Sequence, residues 1–228
     1  MRLCMFTPLD RALERGWPGR IEGNRVIHLA AQTLQAYFAG GGEARANAEY
    51  SLDEVRLLAP VIQPPSVRLF EAPDRFVFAN PAALVGPGAA IRLPQGAKEL
   101  GVQLRVAAVV GRGTEIGGLT ILGDWRAAAL DAPKDRDFAL GLGPVVVSPL
   151  ALGAASVRVN GAERAGGPAA GFPWDKALGL AARNTELRPG DLIGSTAVVA
   201  TGALRAGDRV ELVVEGIGRL AGEVEPKR

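Results

Sequence analysis

Cysteine is nearly absent from this chain. Cys4 is the single one in 228 residues, so an intramolecular disulfide is impossible and a reducing cytoplasm is the expected compartment. Charge of one sign does not accumulate either: 26 Lys and Arg face 24 Asp and Glu, a net of +2. Aromatics are few, at 5%, and no basic stripe is interleaved with them, which argues against a nucleic-acid partner. No apolar run approaches the length of a membrane span. The opening "MRLCMFTPLDRALERGW" has only a short apolar run, broken by Pro8 and Asp10, so no secretory leader is expected. Histidine is reduced to His28. It lies in "RVIHLA", where a structural or capping role is the expectation. Cys4 has no adjacent His or basic cluster and is expected to be a small core residue.

What remains is a chain that is 48% hydrophobic, ample for a packed core. "MRLCMFTP" has alternating apolar positions and predicts a strand. Gly23-Asn24 marks a hairpin turn between "GRIE" and "RVIHLA". "LAAQTLQAYFA" has helical spacing and ends at Gly40. Ser51 with Glu54 three residues on forms a capping-box pattern. Pro60, Pro64 and Pro65 then punctuate the chain. A small N-terminal α+β domain is expected over 1–60 and the main domain over 61–228. The main domain shows many short strands and two helical candidates, "DWRAAALDA" and "PWDKALGLAARN", the second with Pro173 where a first turn would begin. Strands dominate without regular alternation with helices. The fold class is therefore α+β, mainly β, with sheets packed into a sandwich or roll.

"ELGVQLRVAAVVGRG" poses the functional question. Val106 to Val110 run without a polar break, as in a buried strand. Gln103 and Arg105, two apart, point to one face just ahead of it. "GRGTEIGG" has neither the lysine nor the βαβ context of a phosphate loop and predicts a tight strand connection. Trp17, Trp125 and Trp174 are expected in the core or at an interface.

The order of signals resembles the fumarylacetoacetate hydrolase family. "LDEVRLLAPV" leads into a Pro-rich joint. "FANPAALVGPGAAIRLP", "VQLRVAAVVGRG", "GLTILGD", "PKDRDFALGLGPVVVS", "VRVNGAERAGG", "LRPGDLIGST" and "LRAGDRVELVVEGIGRL" follow in family order. The resemblance implies a mixed β-sandwich roll preceded by a small N-terminal domain. It also implies a homodimer acting on 2-oxo acids or their enols, as 2-hydroxyhepta-2,4-diene-1,7-dioate isomerases do. Family members hold Mg²⁺ or Mn²⁺ on three carboxylates, in keeping with the oxygen preference of hard cations.

The departures from that pattern centre on the opening strand. Counted back from Gly111, the family's two metal-binding glutamates are here Gln103 and Arg105. The third ligand is kept as Asp124, and the family lysine as Lys134, with Asp137 after it. The family's acid–base segment after the Pro-rich joint is shorter and has no His; Glu71 is the acidic candidate before Asp74. Asn80 stands for a family lysine, and Gly194, Ser195, Thr196 and Ala197 replace a threonine-rich turn. Arg164 is kept, but Ala165 lies where the family has Gln. One carboxylate, an amide and a fixed cation make a poor set for a hard metal, so no metal cofactor is expected.

Two readings of the site follow. In one, Arg105, Gln103 and Lys134 bind a small carboxylate or 2-oxo acid, with Asp124 and Lys134 as the catalytic pair of a metal-independent isomerase or hydrolase. In the other, Arg105 pairs with Asp124 and fills the old site. The chain is then a catalytically inactive family member that binds a ligand or a subunit.

Overall fold

Strand Leu100–Val110 is the axis of the fold. It pairs antiparallel with Ile116–Arg126 from Gly101↔Arg126 to Val110↔Ile116. Its other edge is shared by Leu192–Gly194 and Val199–Leu204. The computed structural model describes residues 1–11, 15–148 and 151–227. Among these, thirteen strands form one sheet and five form a second. The larger sheet begins with Ala46–Ser51 and passes through Leu140–Val147, Ile116–Arg126 and Leu100–Val110. It ends with Val67–Ala72 and Arg75–Ala79. The smaller sheet runs from Ala162–Pro168 to Ala90–Arg92.

Both faces of the long strand are covered, which explains its unbroken apolar run. Val106, Ala108 and Val110 pack with Val157, Leu212 and Val214 of the smaller sheet. Ala107 and Val109 point the other way, to a second core with Leu122, Leu142 and the short helix Leu34–Ala39. The first strand, Arg2–Pro8, divides likewise: Cys4 and Phe6 enter one core, Leu3 and Met5 the other. Each fully buried Val or Leu contributes about 1.5–3 kcal/mol over exposure. The mixed sandwich is the mainly β, α+β fold expected from the sequence. Segments on either side of residue 60 share the larger sheet, because Arg2 and Leu3 pair with Val147 and Val146.

Several local expectations match the structure. Trp17–Glu22 and Arg25–Leu29 form the hairpin across Gly23, whose φ is +57°. Ser51 caps the 3₁₀ turn Leu52–Glu54, and its N–H donates to Glu54 Oε2 at 3.1 Å. "GRGTEIGG" is the connection between the paired strands, with Gly111 N–H on the Glu115 carbonyl at 2.8 Å. Pro173 immediately precedes the helix Trp174–Ala181, at its N-cap position and without a side-chain capping bond.

Two helix expectations need correction. "LAAQTLQAYFA" is helical only over Leu34–Ala39, because Leu29 is drawn into a strand and Thr33 accepts the N–H of Ala36 as the cap. "DWRAAALDA" is not helical. Asp124, Trp125 and Arg126 extend the strand against Gly101–Gln103, and the Ala127 N–H then bonds to the Asp135 carbonyl at 2.7 Å. The ladder takes the backbone groups that a first helical turn would have used. The segment "DLIGSTAVVATG" holds two strand pieces, Leu192–Gly194 and the start of Val199–Leu204, separated by the turn at Ser195 to Val198.

Candidate functional site

The ladder places Gln103 directly opposite Asp124 and Arg105 opposite Leu122. Side chains two apart share a face, so Gln103, Arg105, Asp124 and Arg126 converge at one end of the sheet. Glu71 arrives from the end of Val67–Ala72, next to the bulge between Phe70 and Ala72. Asp135 and Arg136 come from the loop that follows Arg126.

Arg105 is the centre of this cluster and is 1% exposed. A guanidinium carries five N–H donors, and every one is engaged. Nε donates to Asp124 Oδ2 at 3.2 Å. Nη1 donates to the carbonyls of Phe70 at 2.6 Å and Ser195 at 2.8 Å. Nη2 donates to Gln103 Oε1 at 2.6 Å and Glu71 Oε1 at 3.3 Å. The altered turn has a clear local role. Ser195 N–H donates to the Val106 carbonyl at 2.7 Å, and Val106 N–H donates to Ser195 Oγ at 3.1 Å. That exchange fixes the Ser195 carbonyl over the guanidinium.

Asp124 is fully buried and shared by two arginines. Arg126 grips it as a fork, Nε to Oδ1 at 3.1 Å and Nη2 to Oδ2 at 2.9 Å, the planar geometry that suits Arg to carboxylates. Glu71 Oε1 also accepts from Arg136 Nη1 at 3.1 Å and Arg126 Nη2 at 3.4 Å. Asp135 lies 3.5 Å from Arg126 and 3.8 Å from Arg136. Arg105, Arg126 and Arg136 thus balance Glu71, Asp124 and Asp135, and the cluster is neutral. Burial works to raise the Glu71 pKa, but the guanidiniums of Arg105, Arg136 and Arg126 outweigh it and hold the carboxyl below its ordinary value. Burial lowers the Arg105 pKa against the pull of Asp124 and Glu71.

Of the residues singled out in the sequence, Gln103, Arg105 and Asp124 meet and Lys134 stands apart. Its side chain is 74% exposed and pairs with Asp137 at 2.8 Å. The cations beside Asp124 are Arg105 and Arg126. Arg126 had a readable signal, being two residues past Asp124 on the same strand and hence on the same face. Arg136 and Asp135 had none, since loop residues carry no periodicity. Asn80 accepts the Ala82 N–H at 3.0 Å and donates to the Asp137 carbonyl at 3.3 Å. His28 is remote in role, its ring stacked on Trp17 with centroids 4.6 Å apart.

A hard divalent ion does not fit these donors. Both Asp124 oxygens point at guanidiniums, as do Gln103 Oε1 and Glu71 Oε1. Among the described residues no group of three or more His, Cys, Asp or Glu side chains is arranged to hold a metal.

A mixed β-sandwich roll with a polar cluster where its long central strands pair defines a recognisable class of protein. The family model described as "Fumarylacetoacetate (FAA) hydrolase C-terminal" matches residues 44–225, and the chain belongs to that family. It is 29% identical over 171 residues to the uncharacterized protein PH0643 of Pyrococcus horikoshii, covering 63% of this chain and 74% of that one. Its structure is similar to that of 2-hydroxyhepta-2,4-diene-1,7-dioate isomerase from Mycobacterium marinum, with TM-score 0.81, 25% identity, and 100% and 99% of the two chains covered. The fold also matches maleylpyruvate hydrolase from Sphingobium sp. SYK-6, solved in complex with manganese(II) and pyruvate. There the TM-score is 0.78 and the identity 19%, with both chains covered in full. The family neighbours thus include isomerases and hydrolases, and the maleylpyruvate hydrolase was solved with a bound metal.

Proposed function

We propose that this chain is a catalytically silent member of the family, in which the Arg105 guanidinium stands where relatives hold Mg²⁺ or Mn²⁺. Its role is that of a binding subunit, assembled as a homodimer. The observation that carries this reading is the saturation of Arg105. With five N–H groups committed to protein oxygens, it has none left for a ligand carboxylate. Asp124 is fully buried and accepts three guanidinium hydrogen bonds, two on Oδ2 and one on Oδ1, which leaves it poorly placed to take a substrate proton. Glu71 is held ionised and is a weak proton donor near neutrality. Arginines do not exchange protons in this range.

A second reading keeps a ligand at the rim. The guanidiniums of Arg126 and Arg136 are part-exposed, and a small 2-oxo acid offers them a planar carboxylate. One titration separates the two. Calorimetry with pyruvate, with and without added Mn²⁺, is expected to give no heat beyond dilution for the purified chain. Metal analysis of the same sample is expected to give well under one divalent ion per chain. A saturable pyruvate signal lost in Arg136→Met supports the rim site. Stoichiometric Mn²⁺ lost in Asp124→Ala overturns the replacement of metal by guanidinium.

A further inference from the structure

Arg68 lies on Val67–Ala72, the strand that carries Glu71, and is 5% exposed. Its guanidinium takes no part in the cluster around Arg105. Nη1 donates to Ser66 Oγ, and the nearest carboxylate oxygen, Asp191 Oδ2, is 3.9 Å from that same nitrogen. Both Asp191 oxygens are engaged elsewhere. Oδ1 accepts from Ser66 Oγ at 2.6 Å, and Oδ2 accepts from the Arg188 N–H at 2.7 Å. The opposite edge of the guanidinium, Nε with Nη2, is unclaimed. Nε is buried without a hydrogen-bond partner. Nη2 donates to no group among the described residues and, unlike Nε, is not closed off from solvent. A buried donor left unpaired is costly and calls for an explanation. The other buried polar side-chain atoms without a partner among the described residues are Gln35 Oε1, Thr120 Oγ1 and Asp135 Oδ1. All three are oxygens, and none belongs to a cation.

The walls around this edge are aromatic. The register sets Arg68 opposite Phe78 and Phe70 opposite Phe76, so the four side chains share one face. The guanidinium carbon lies 5.2 Å from the Phe78 ring centroid and 5.9 Å from that of Phe76. The two rings meet edge to face at 5.6 Å. Phe76 rests in turn on buried Phe70 at 5.5 Å and forms the fixed wall. Phe78 is 66% exposed, so its ring can turn about its side-chain bonds without opening the core. The Nε–Nη2 edge is the fork with which an arginine holds a carboxylate through two parallel hydrogen bonds. Arg126 uses the same two nitrogens on Asp124.

We infer that the Nε–Nη2 edge of Arg68 is a binding site for a small aromatic carboxylate. One carboxylate oxygen takes Nη2, and the other takes Nε as the Phe78 ring turns aside. The ligand's own ring then lies against Phe78 and Phe76. The unpaired donors of a cation call for an anionic acceptor, and Asp191 lies on the Nη1 side, away from the open edge. The phenylalanine rings call for an apolar, planar body. This site shares no residue with the Arg126–Arg136 rim and does not depend on the silence of the Arg105 cluster, so either reading can fail alone.

The test is a benzoate titration of the full chain, followed by nitrogen-15 NMR of the arginine Nε–H groups, with benzamide as the neutral isostere. Benzoate is expected to bind saturably, one per chain, and to move the Arg68 Nε–H resonance, identified by its absence in Arg68→Lys. Benzamide is expected to bind about tenfold more weakly or worse. Phe78→Ala changes an exposed side chain and should weaken benzoate by about fivefold with its circular dichroism unchanged. Arg136→Met should leave benzoate binding as it is. No saturable benzoate binding overturns the inference, as does benzamide binding equally well. A benzoate response lost in Arg136→Met, or indifferent to Phe78→Ala, places the ligand elsewhere and overturns it too. Should Arg68→Lys not fold, the resonance is assigned through its bonds to the Arg68 backbone, and the other two variants decide.

Discussion

Arg105 and Asp124 meet diagonally across the central ladder, Nε to Oδ2 at 3.2 Å, each excluded from solvent. A buried pair of this kind contributes little net stability compared with well-packed apolar residues, yet removing one partner is severe because the other stays buried.

Arg105→Met is therefore expected to destabilise the fold by about 3–5 kcal/mol, read as a shift in the urea midpoint. It strands Gln103 and the carbonyls of Phe70 and Ser195. Arg136→Met, at the part-exposed rim, should cost about 1 kcal/mol or less. Equal, small effects of the two would show that Arg105 is not the organising cation.

Returning the family carboxylates should return the ion. Gln103→Glu with Arg105→Glu places two carboxylates beside Asp124, and calorimetry should then detect Mn²⁺ where the unmodified chain gives none. Arg126 still forks Asp124 in that variant. Adding Arg126→Gln should tighten binding further. A triple variant silent toward Mn²⁺ would mean that the strand register does not reproduce the family centre.

Glu71 sets an acid limit. Its carboxyl is held below the ordinary glutamate value in the folded chain. The stability it supplies is therefore complete above that ordinary value, about 4.3, and is lost as pH falls through the lower, folded one. Glu71→Gln should be less stable than wild type at neutral pH. The difference should narrow as the pH is lowered below about 4. Thermal melts at several pH values check the convergence, and a difference that widens on acidification contradicts it.

Cys4 is buried, and that burial pushes its thiol up to about 12. Only the thiolate reacts appreciably. A disulfide reagent at pH 8 should leave the native chain unlabelled and label one thiol per chain in denaturant. Fast native labelling would place Cys4 outside the core.

The fold was largely readable in the sequence, because period-two alternation and turn residues are local. Val106 to Val110 announced a strand buried on both faces, and Gly23-Asn24 announced its hairpin. Arg105 beside Asp124 was readable once the strands were aligned, since facing positions follow from register. The rest was not local. The Phe70 and Ser195 carbonyls enter through strands far along the chain, and no side-chain pattern reports a backbone oxygen. Arg136 and Asp135 depend on the path of a loop. Lys134 was expected at the cluster because of its place in the family order, but a loop lysine with Asp137 three residues on has a partner nearer at hand.

The saturation of Arg105 also constrains how this sequence can change. Arg105→Glu alone would raise the acidic side chains of the cluster from three to four and remove the most buried of their cations. Gln103→Glu alone would add a carboxylate where an amide oxygen already accepts two guanidinium hydrogen bonds. Each single step toward the family's carboxylate pattern passes through an unbalanced, water-excluded charge. Only the two together present a hard metal with a site able to repay their repulsion. On the reading proposed above, the guanidinium lodged among its five acceptors works as a ratchet: one substitution at a time, a metal site is hard to build at this end of the sheet.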